Sequence, residues 1–133
     1  MNTSRAPELA FFPLTIEVSK QGHLCIGGCD VVDLAKEFGT PLYLFDEFTL
    51  RHKCRKFKDE FSKYYPDTPV IYACKAFLNR ALALIFKQEG LGLDVVSGGE
   101  LSIAHSVDFP LDKVYSHGNN KTLEELNLAL DLI

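Results

Sequence analysis

No apolar run in the sequence approaches ~18 residues, the length a transmembrane helix needs. The stretch Met1 to Lys20 also lacks a basic end followed by an apolar segment and a small-residue cleavage site. A secretory signal is therefore not expected, and a cytoplasmic location is the default. Excess positive charge is missing too. The formal net charge is -4, and the densest basic run is Lys53, Arg55, Lys56 and Lys58. Those residues alternate with Cys54, Phe57, Asp59 and Glu60, which reads as the wet face of a helix. Nothing here supports binding to nucleic acid. Cysteine is sparse: Cys25, Cys29, Cys54 and Cys74. Cys25 and Cys29 stand four apart beside His23, which is not a C-x-x-C knuckle, and no second pair follows at zinc spacing. We expect no metal site, and buried or half-buried thiols in a reducing compartment.

What is present is apolar material in ordered periods. Hydrophobic residues make up 47% of the 133 residues, enough for a packed core. Leu14, Ile16 and Val18 alternate with polar neighbours, so Leu14 to Ile26 predicts short strands around a turn at Gln21-Gly22. Gly27-Gly28 breaks the chain. Asp30 caps a short helix, Val31 to Phe38, that stops at Gly39. Thr40 to Phe45 is aromatic and apolar and predicts a strand. Asp46 then caps a helix reaching about Tyr64, and Pro66 and Pro69 mark the loop after it.

From Pro69 the pattern repeats. Val70 to Cys74 predicts a strand, and Asn79 caps a helix from Arg80 to Glu89 closed by Gly90. Leu91 to Val96 predicts the next strand, followed by a helix from Gly98 to about Val107. Lys113 to Ser116 predicts a third strand, and Thr122 caps a helix through Leu132. Alternation of this kind implies parallel strands with right-handed crossovers. The strands are too apolar for a sheet with one wet face. The choice is between an open α/β sheet and the start of a (β/α)8 barrel. A complete barrel needs ~250 residues, and the pattern is still running at Ile133, so a fragment is expected. Three parallel strands would also leave two open edges, so we expect the isolated chain to be poorly soluble or oligomeric, without turnover.

In α/β folds chemistry collects at the carboxyl ends of strands. Lys75 falls there. Strand alternation would put Ile71, Ala73 and Lys75 on one face and Val70, Tyr72 and Cys74 on the other. A primary amine at that place can condense with an aldehyde cofactor. The competing reading is a solvated loop lysine beyond the strand end. Asp94, at the end of the second strand, can orient a cofactor or the lysine ammonium by a charge-assisted hydrogen bond, or cap a turn. Ser97-Gly98-Gly99-Glu100 either brings backbone close to a ligand or forms a capping box. His117 ends the third strand, with a ligand-side and a structural reading both open. Thr122 and Glu125 form a second capping box and need no functional reading.

Tyr72-Ala73-Cys74-Lys75-Ala76-Phe77 resembles the Tyr-Ala-x-Lys-Ala motif of the alanine-racemase-type, barrel-fold pyridoxal-phosphate enzymes. Asp94-Val95-Val96-Ser97-Gly98-Gly99-Glu100 resembles the Asp-Val-x-Ser-Gly-Gly-Glu stretch of the diaminopimelate decarboxylases. His117-Gly118-Asn119-Asn120-Lys121-Thr122 and Gly39-Thr40-Pro41-Leu42-Tyr43-Leu44-Phe45-Asp46 are similar to two further segments of that group. The matches keep the family's order from about residue 22 to the end.

The resemblance implies an α/β fold made of a partial (β/α)8 TIM-type barrel, its first three βα units, preceded by a short β-rich segment. Residues 1–46 would belong to a β-rich second domain, and 47–133 would open the cofactor-binding barrel. Lys75 would hold pyridoxal 5'-phosphate, with Asp94 and His117 beside it. The parent would be a homodimeric carboxy-lyase acting on a small amino acid, meso-diaminopimelate to lysine and carbon dioxide. Ornithine, arginine or carboxynorspermidine decarboxylation is the alternative, or a non-catalytic cofactor-binding or regulatory relative. The family's phosphate-binding, ring-stacking and substrate-binding residues would lie beyond Ile133.

Overall fold

The computed structural model describes residues 11–132. The expectations for Met1 to Ala10 lie outside the described residues, as does Ile133. The chain divides into two compact units, Met1–Lys53 and Cys54–Ile133.

The first unit is built on hairpins. β1 (Glu17–Val18) pairs antiparallel with β2 (Leu24–Ile26), and the turn closes where Gly22 N–H donates to Ser19 O at 3.0 Å. β2 pairs in turn with β3 (Cys29–Asp30), Ile26 opposite Cys29. Gly27 and Gly28 form the two-residue link, with φ of 59° and 78°. Positive φ at both positions is what a tight I′ hairpin demands, and only glycine adopts it without strain. The expected break is thus a turn, and it adds a strand.

α1 (Val31–Phe38) starts and stops as predicted. Asp30 accepts from the N–H of Val32 at 2.8 Å and of Asp33 at 3.4 Å, satisfying two donors of the first turn. The same carboxylate meets His23 Nδ1 at 2.8 Å.

The strand expected over Thr40 to Phe45 does not form. These residues follow a cis Thr40–Pro41 bond and pair with no strand among the described residues. Aromatic composition gives strand propensity, but a ladder needs a partner, and Pro41 has no N–H to offer one. Tyr43 is 87% exposed.

α2 (Glu47–Ser62) begins where Asp46 accepts from Thr49 N at 3.2 Å and also from the Thr49 hydroxyl.

In the second unit, β4 (Ile71–Ala73), β5 (Gly92–Val95) and β6 (Val114–Ser116) form a parallel sheet in that order. α3 (Arg80–Gln88), α4 (Gly98–His105) and α5 (Leu123–Leu132) alternate with the strands. α3 packs beside α4 and α4 beside α5. Asn79 caps α3 through Leu82 N at 2.9 Å.

Pleating sends Tyr72, Leu93 and Val95 to one face, and the turn after β4 adds Cys74 to it. Cys74, Leu93 and Val95 are at most 1% exposed there, packed in a core with Leu82, Ala83, Phe86, Leu101 and Ala104. The opposite face carries Ile71, Ala73, Gly92, Asp94 and Tyr115. Ile71 and Tyr115 remain 40% and 45% exposed.

The basic run lies on an exposed helix face as expected, with a task added. Arg55 donates two 2.8 Å bonds to the buried Glu89 carboxylate, and Lys58 Nζ donates to Glu89 O at 2.7 Å. Two cations thereby fasten the second half of α2 to the end of α3. A bidentate pair of this kind matters because Glu89 would otherwise be an uncompensated buried charge.

None of the four cysteines is in a disulfide, and Cys29 alone among them is exposed. Among the described residues no group of histidine, cysteine and carboxylate side chains is arranged to hold a metal. No described helix is long and apolar enough to cross a membrane.

Candidate functional site at the strand ends

Lys75 lies beyond β4. The strand stops at Ala73 and Cys74–Ala76 forms a single 3-10 turn. Strand alternation therefore does not govern Lys75, and the expected in-line set of Ile71, Ala73 and Lys75 ends at Ala73. A 3-10 turn advances three residues per revolution, so the turn sets the lysine's direction. Lys75 is exposed and makes no hydrogen bond or ion pair among the described residues.

The turn is anchored on both sides of the lysine. Before it, the Cys74 side chain is 1% exposed, and its thiol donates to Tyr72 O at 3.7 Å. After it, the Tyr72 hydroxyl reaches across the turn and donates to Phe77 O at 2.8 Å. The Tyr72 ring packs on Phe86, centroids 4.2 Å apart. A flexible amine thus projects from a fixed base. Sequence reasoning assigned Tyr72 a face but missed this hydroxyl bond, for which the sequence carries no periodic signal.

Cys74 itself is not a nucleophile. Burial, then the negative charges of Glu100 and Asp94, push its thiol from 9.0 up to about 12. The folded state keeps the proton that the unfolded chain releases above pH 9. The stabilising contribution is therefore full below pH 9 and is lost as pH rises toward 12. We expect a maleimide at neutral pH to modify Cys29 promptly in the native chain. Cys25, Cys54 and Cys74 should react only after denaturation, as peptide mapping of the alkylated protein would reveal. Rapid native labelling of Cys74 would contradict the packing around the lysine turn.

Asp94 sits within β5, paired in register with Ala73 on one side and Tyr115 on the other. Its side chain is 27% exposed, yet Oδ1 is buried with no hydrogen-bond partner among the described residues. His117 follows β6. Its backbone N–H extends the ladder to Val95 O at 2.9 Å, and Nδ1 stands 3.7 Å from Asp94 Oδ1. That separation is too long for a hydrogen bond and short enough for attraction when the imidazole is protonated. The fold thus brings Asp94 and His117 together. No hydrogen bond or ion pair among the described residues joins Lys75 to either.

Glu100 takes the capping role. Ser97 Oγ accepts from Glu100 N at 3.3 Å, and Glu100 Oε2 accepts from Val96 N at 2.7 Å. Thr122 and Glu125 make the second box, with reciprocal bonds of 3.1 Å. Glu125 reaches further than the sequence suggested: its Oε1 accepts from Gly98 N at 3.0 Å. The donors Val96 N, Gly98 N and Glu100 N at the start of α4 are therefore all taken by protein oxygens.

This decides what the cluster can hold. A free primary amine and an orphaned carboxylate oxygen suit the aldehyde and ring portion of pyridoxal phosphate. With Val96, Gly98 and Glu100 N–H already paired to protein oxygens, few donors of α4 remain for its phosphate. A separate groove in the amino-terminal unit, lined by Glu17, Ile26, Cys29, Leu44, Asp46 and Phe48 among others, contains none of these residues.

Comparison with known proteins points the same way. Residues 48–132 match the family described as pyridoxal-dependent decarboxylase, pyridoxal binding domain. The chain is 46% identical over 121 residues to a diaminopimelate decarboxylase of Bacillus methanolicus, covering 91% of this chain and 28% of that protein. It is 47% identical over 116 residues to that of Methanothermobacter thermautotrophicus, covering 87% and 27%. Among solved structures, diaminopimelate decarboxylase from M. jannaschii in complex with L-lysine superposes with a TM-score of 0.79. The sequences are 36% identical, and the match covers 89% of this chain and 28% of that one. The chain thus spans little more than a quarter of the length of these relatives.

Proposed function

The chain belongs to the pyridoxal-dependent decarboxylases by its pyridoxal-binding domain, and from that membership we propose that it is the lysine-bearing, amino-terminal part of a diaminopimelate decarboxylase. The observation that carries the reading is an exposed amine, Lys75, on a rigid turn at the carboxyl end of β4. It stands in a chain 46% identical to an enzyme of that name.

In this reading Lys75 binds pyridoxal 5'-phosphate through its amine. Asp94 Oδ1 would accept a hydrogen bond from a donor brought to the strand ends, with the His117 imidazole beside it. When bound, the cofactor supplies an electron sink for loss of carbon dioxide. The protein residues supply orientation and charge. The exposed position of Lys75 would leave its amine open to a cofactor aldehyde, and Asp94 would supply a carboxylate on the neighbouring strand. The phosphate seat and the substrate carboxylate contacts come from elsewhere in the full-length protein.

The finer architecture belongs to the same proposal. Residues 47–133 open a (β/α)8 barrel with its first three βα units, and 1–46 contribute to a β-rich domain. Parallel order, intervening helices and the uncovered face bearing Ile71 and Tyr115 support this, because a barrel interior would cover that face. The full-length protein is proposed to be a cytoplasmic homodimer.

The test has two parts. The 133-residue chain is incubated with pyridoxal phosphate, reduced with borohydride and digested, and the label is expected on Lys75. Carbon dioxide release by the full-length protein is then compared across meso-diaminopimelate, ornithine, arginine and carboxynorspermidine, with the first expected to dominate. Label spread evenly over surface lysines would refute the cofactor reading. Preference for another amino acid would refute the substrate.

A further inference from the structure

Two loops adjoin the candidate residues. One follows β5 just after Asp94, and the other follows β6 and begins with His117. They approach closely: a Cβ at Gly118 would stand 3.8 Å from Val96 O. Beyond the His117 N–H bond to Val95 O, they are tied by a side chain on α5. Glu125 Oε2 accepts from Thr122 N at 3.1 Å at the end of the second loop. Glu125 Oε1 accepts from Gly98 N at 3.0 Å, at the end of the first. Gly98 is pressed against the same helix, because a Cβ there would lie 3.5 Å from Glu125 Cγ and 3.4 Å from Leu128 Cδ2. A helix cap alone requires only the Thr122 half of this arrangement.

We propose that Glu125 is a positioning residue, a clasp that joins the two strand-end loops and so holds the segment after His117 against the end of β5, beside Asp94. It rests on the reading of these residues as a cofactor site and adds a member that touches no reacting atom. The Gly98 and Thr122 donors also hold the Glu125 carboxyl below its ordinary value, so it stays ionised and keeps both acceptor positions at neutral pH. One donor at the α4 amino terminus, Gly98 N, is taken by the clasp.

The test sets Glu125→Ala against Thr122→Ala in the 133-residue chain. Both weaken the cap of α5, and only the first releases Gly98. Residue-resolved amide exchange without cofactor is expected to show Gly98 exchanging about tenfold faster in Glu125→Ala, the loss of one hydrogen bond, and unchanged in Thr122→Ala. Equal acceleration in both, or none in either, overturns the clasp. Should Glu125→Ala fail to fold, Glu125→Gln keeps the volume and one carbonyl acceptor. It is expected to expose either the Gly98 or the Thr122 amide, and protection of both overturns the clasp.

The second readout is the apparent Kd for pyridoxal phosphate, from reductive trapping at Lys75 over graded concentrations. Glu125→Ala is expected to raise it about fivefold or more, and Thr122→Ala to leave it within about twofold. Equal weakening by both would reduce Glu125 to a helix cap. Absence of trapping at Lys75 in the unmodified chain would defeat the cofactor reading, while exchange at Gly98 would still decide the clasp.

Discussion

Replacing Lys75 by alanine is expected to abolish borohydride-trapped pyridoxal phosphate in the chain and to lower turnover of the full-length protein by on the order of 10²–10⁴-fold. The magnitude reflects two losses. On the proposed reading, the amine that would anchor the cofactor is removed, and with it a primary amine able to move a proton at the strand ends. Fold stability is expected to be unaffected, since the side chain is exposed and without a partner among the described residues. Lys75→Arg makes the sharper comparison. It keeps the positive charge and much of the length, but a guanidinium is not the primary amine the attachment requires. If Lys75→Arg retained trapping at position 75 or wild-type turnover, the amine would not be the operative group. Mass mapping of the reduced adduct and carbon dioxide release are the two measurements.

Phe86→Ala is expected to have the largest effect on stability, about 3–5 kcal/mol. Phe86 is 2% exposed and lies at the centre of the helix-covered core. Its ring supports Tyr72, whose hydroxyl closes the lysine turn onto Phe77 O. Removing it leaves a cavity and frees Tyr72 to rotate. Tyr72→Phe separates the two effects. It preserves the ring contact and removes only the hydroxyl bond, a loss of about 0.5–1.5 kcal/mol. Urea unfolding of the second unit, followed by amide exchange in β5, would measure both. A small effect of Phe86→Ala would mean that the core can collapse around the missing ring. It would also mean that the turn does not depend on the stack.

Local chemistry is where the sequence was most legible. Asp30, Asn79, Ser97 and Thr122 each cap the helix expected of them, because capping is decided within three or four residues. The parallel order of β4, β5 and β6 followed from alternation with helices. Errors arose where the deciding partner is remote or the turn is unusual. Thr40 to Phe45 has strand composition and no neighbouring strand among the described residues. Gly27-Gly28 was read as a stop although two positive φ angles make it a hairpin.

Lys75 was placed on the right strand end but carried one element too far. The 3-10 turn that holds it is fixed by the Tyr72 hydroxyl and buried Cys74, which sequence spacing does not reveal. Remote contacts account for the rest. Arg55 and Lys58 converge on Glu89 across more than thirty residues, and Glu125 reaches Gly98 across 27. Of the candidate site, residue identities were available from motif spelling, and the orphaned Asp94 oxygen was not.

In the second unit the ladder proper closes at Ala73, Val95 and Ser116. Lys75, the capped turn at Ser97 and His117 all follow within two residues of those rungs. Scaffold and the proposed chemistry therefore occupy adjoining but separate stretches of the sequence. Insertions, recombination or laboratory shuffling in the connecting segments can explore new selectivity while inheriting an intact foundation. Asp94 is the exception. It is rooted inside the ladder itself, so a lineage that discards it must also repack the rung it shares with Ala73 and Tyr115.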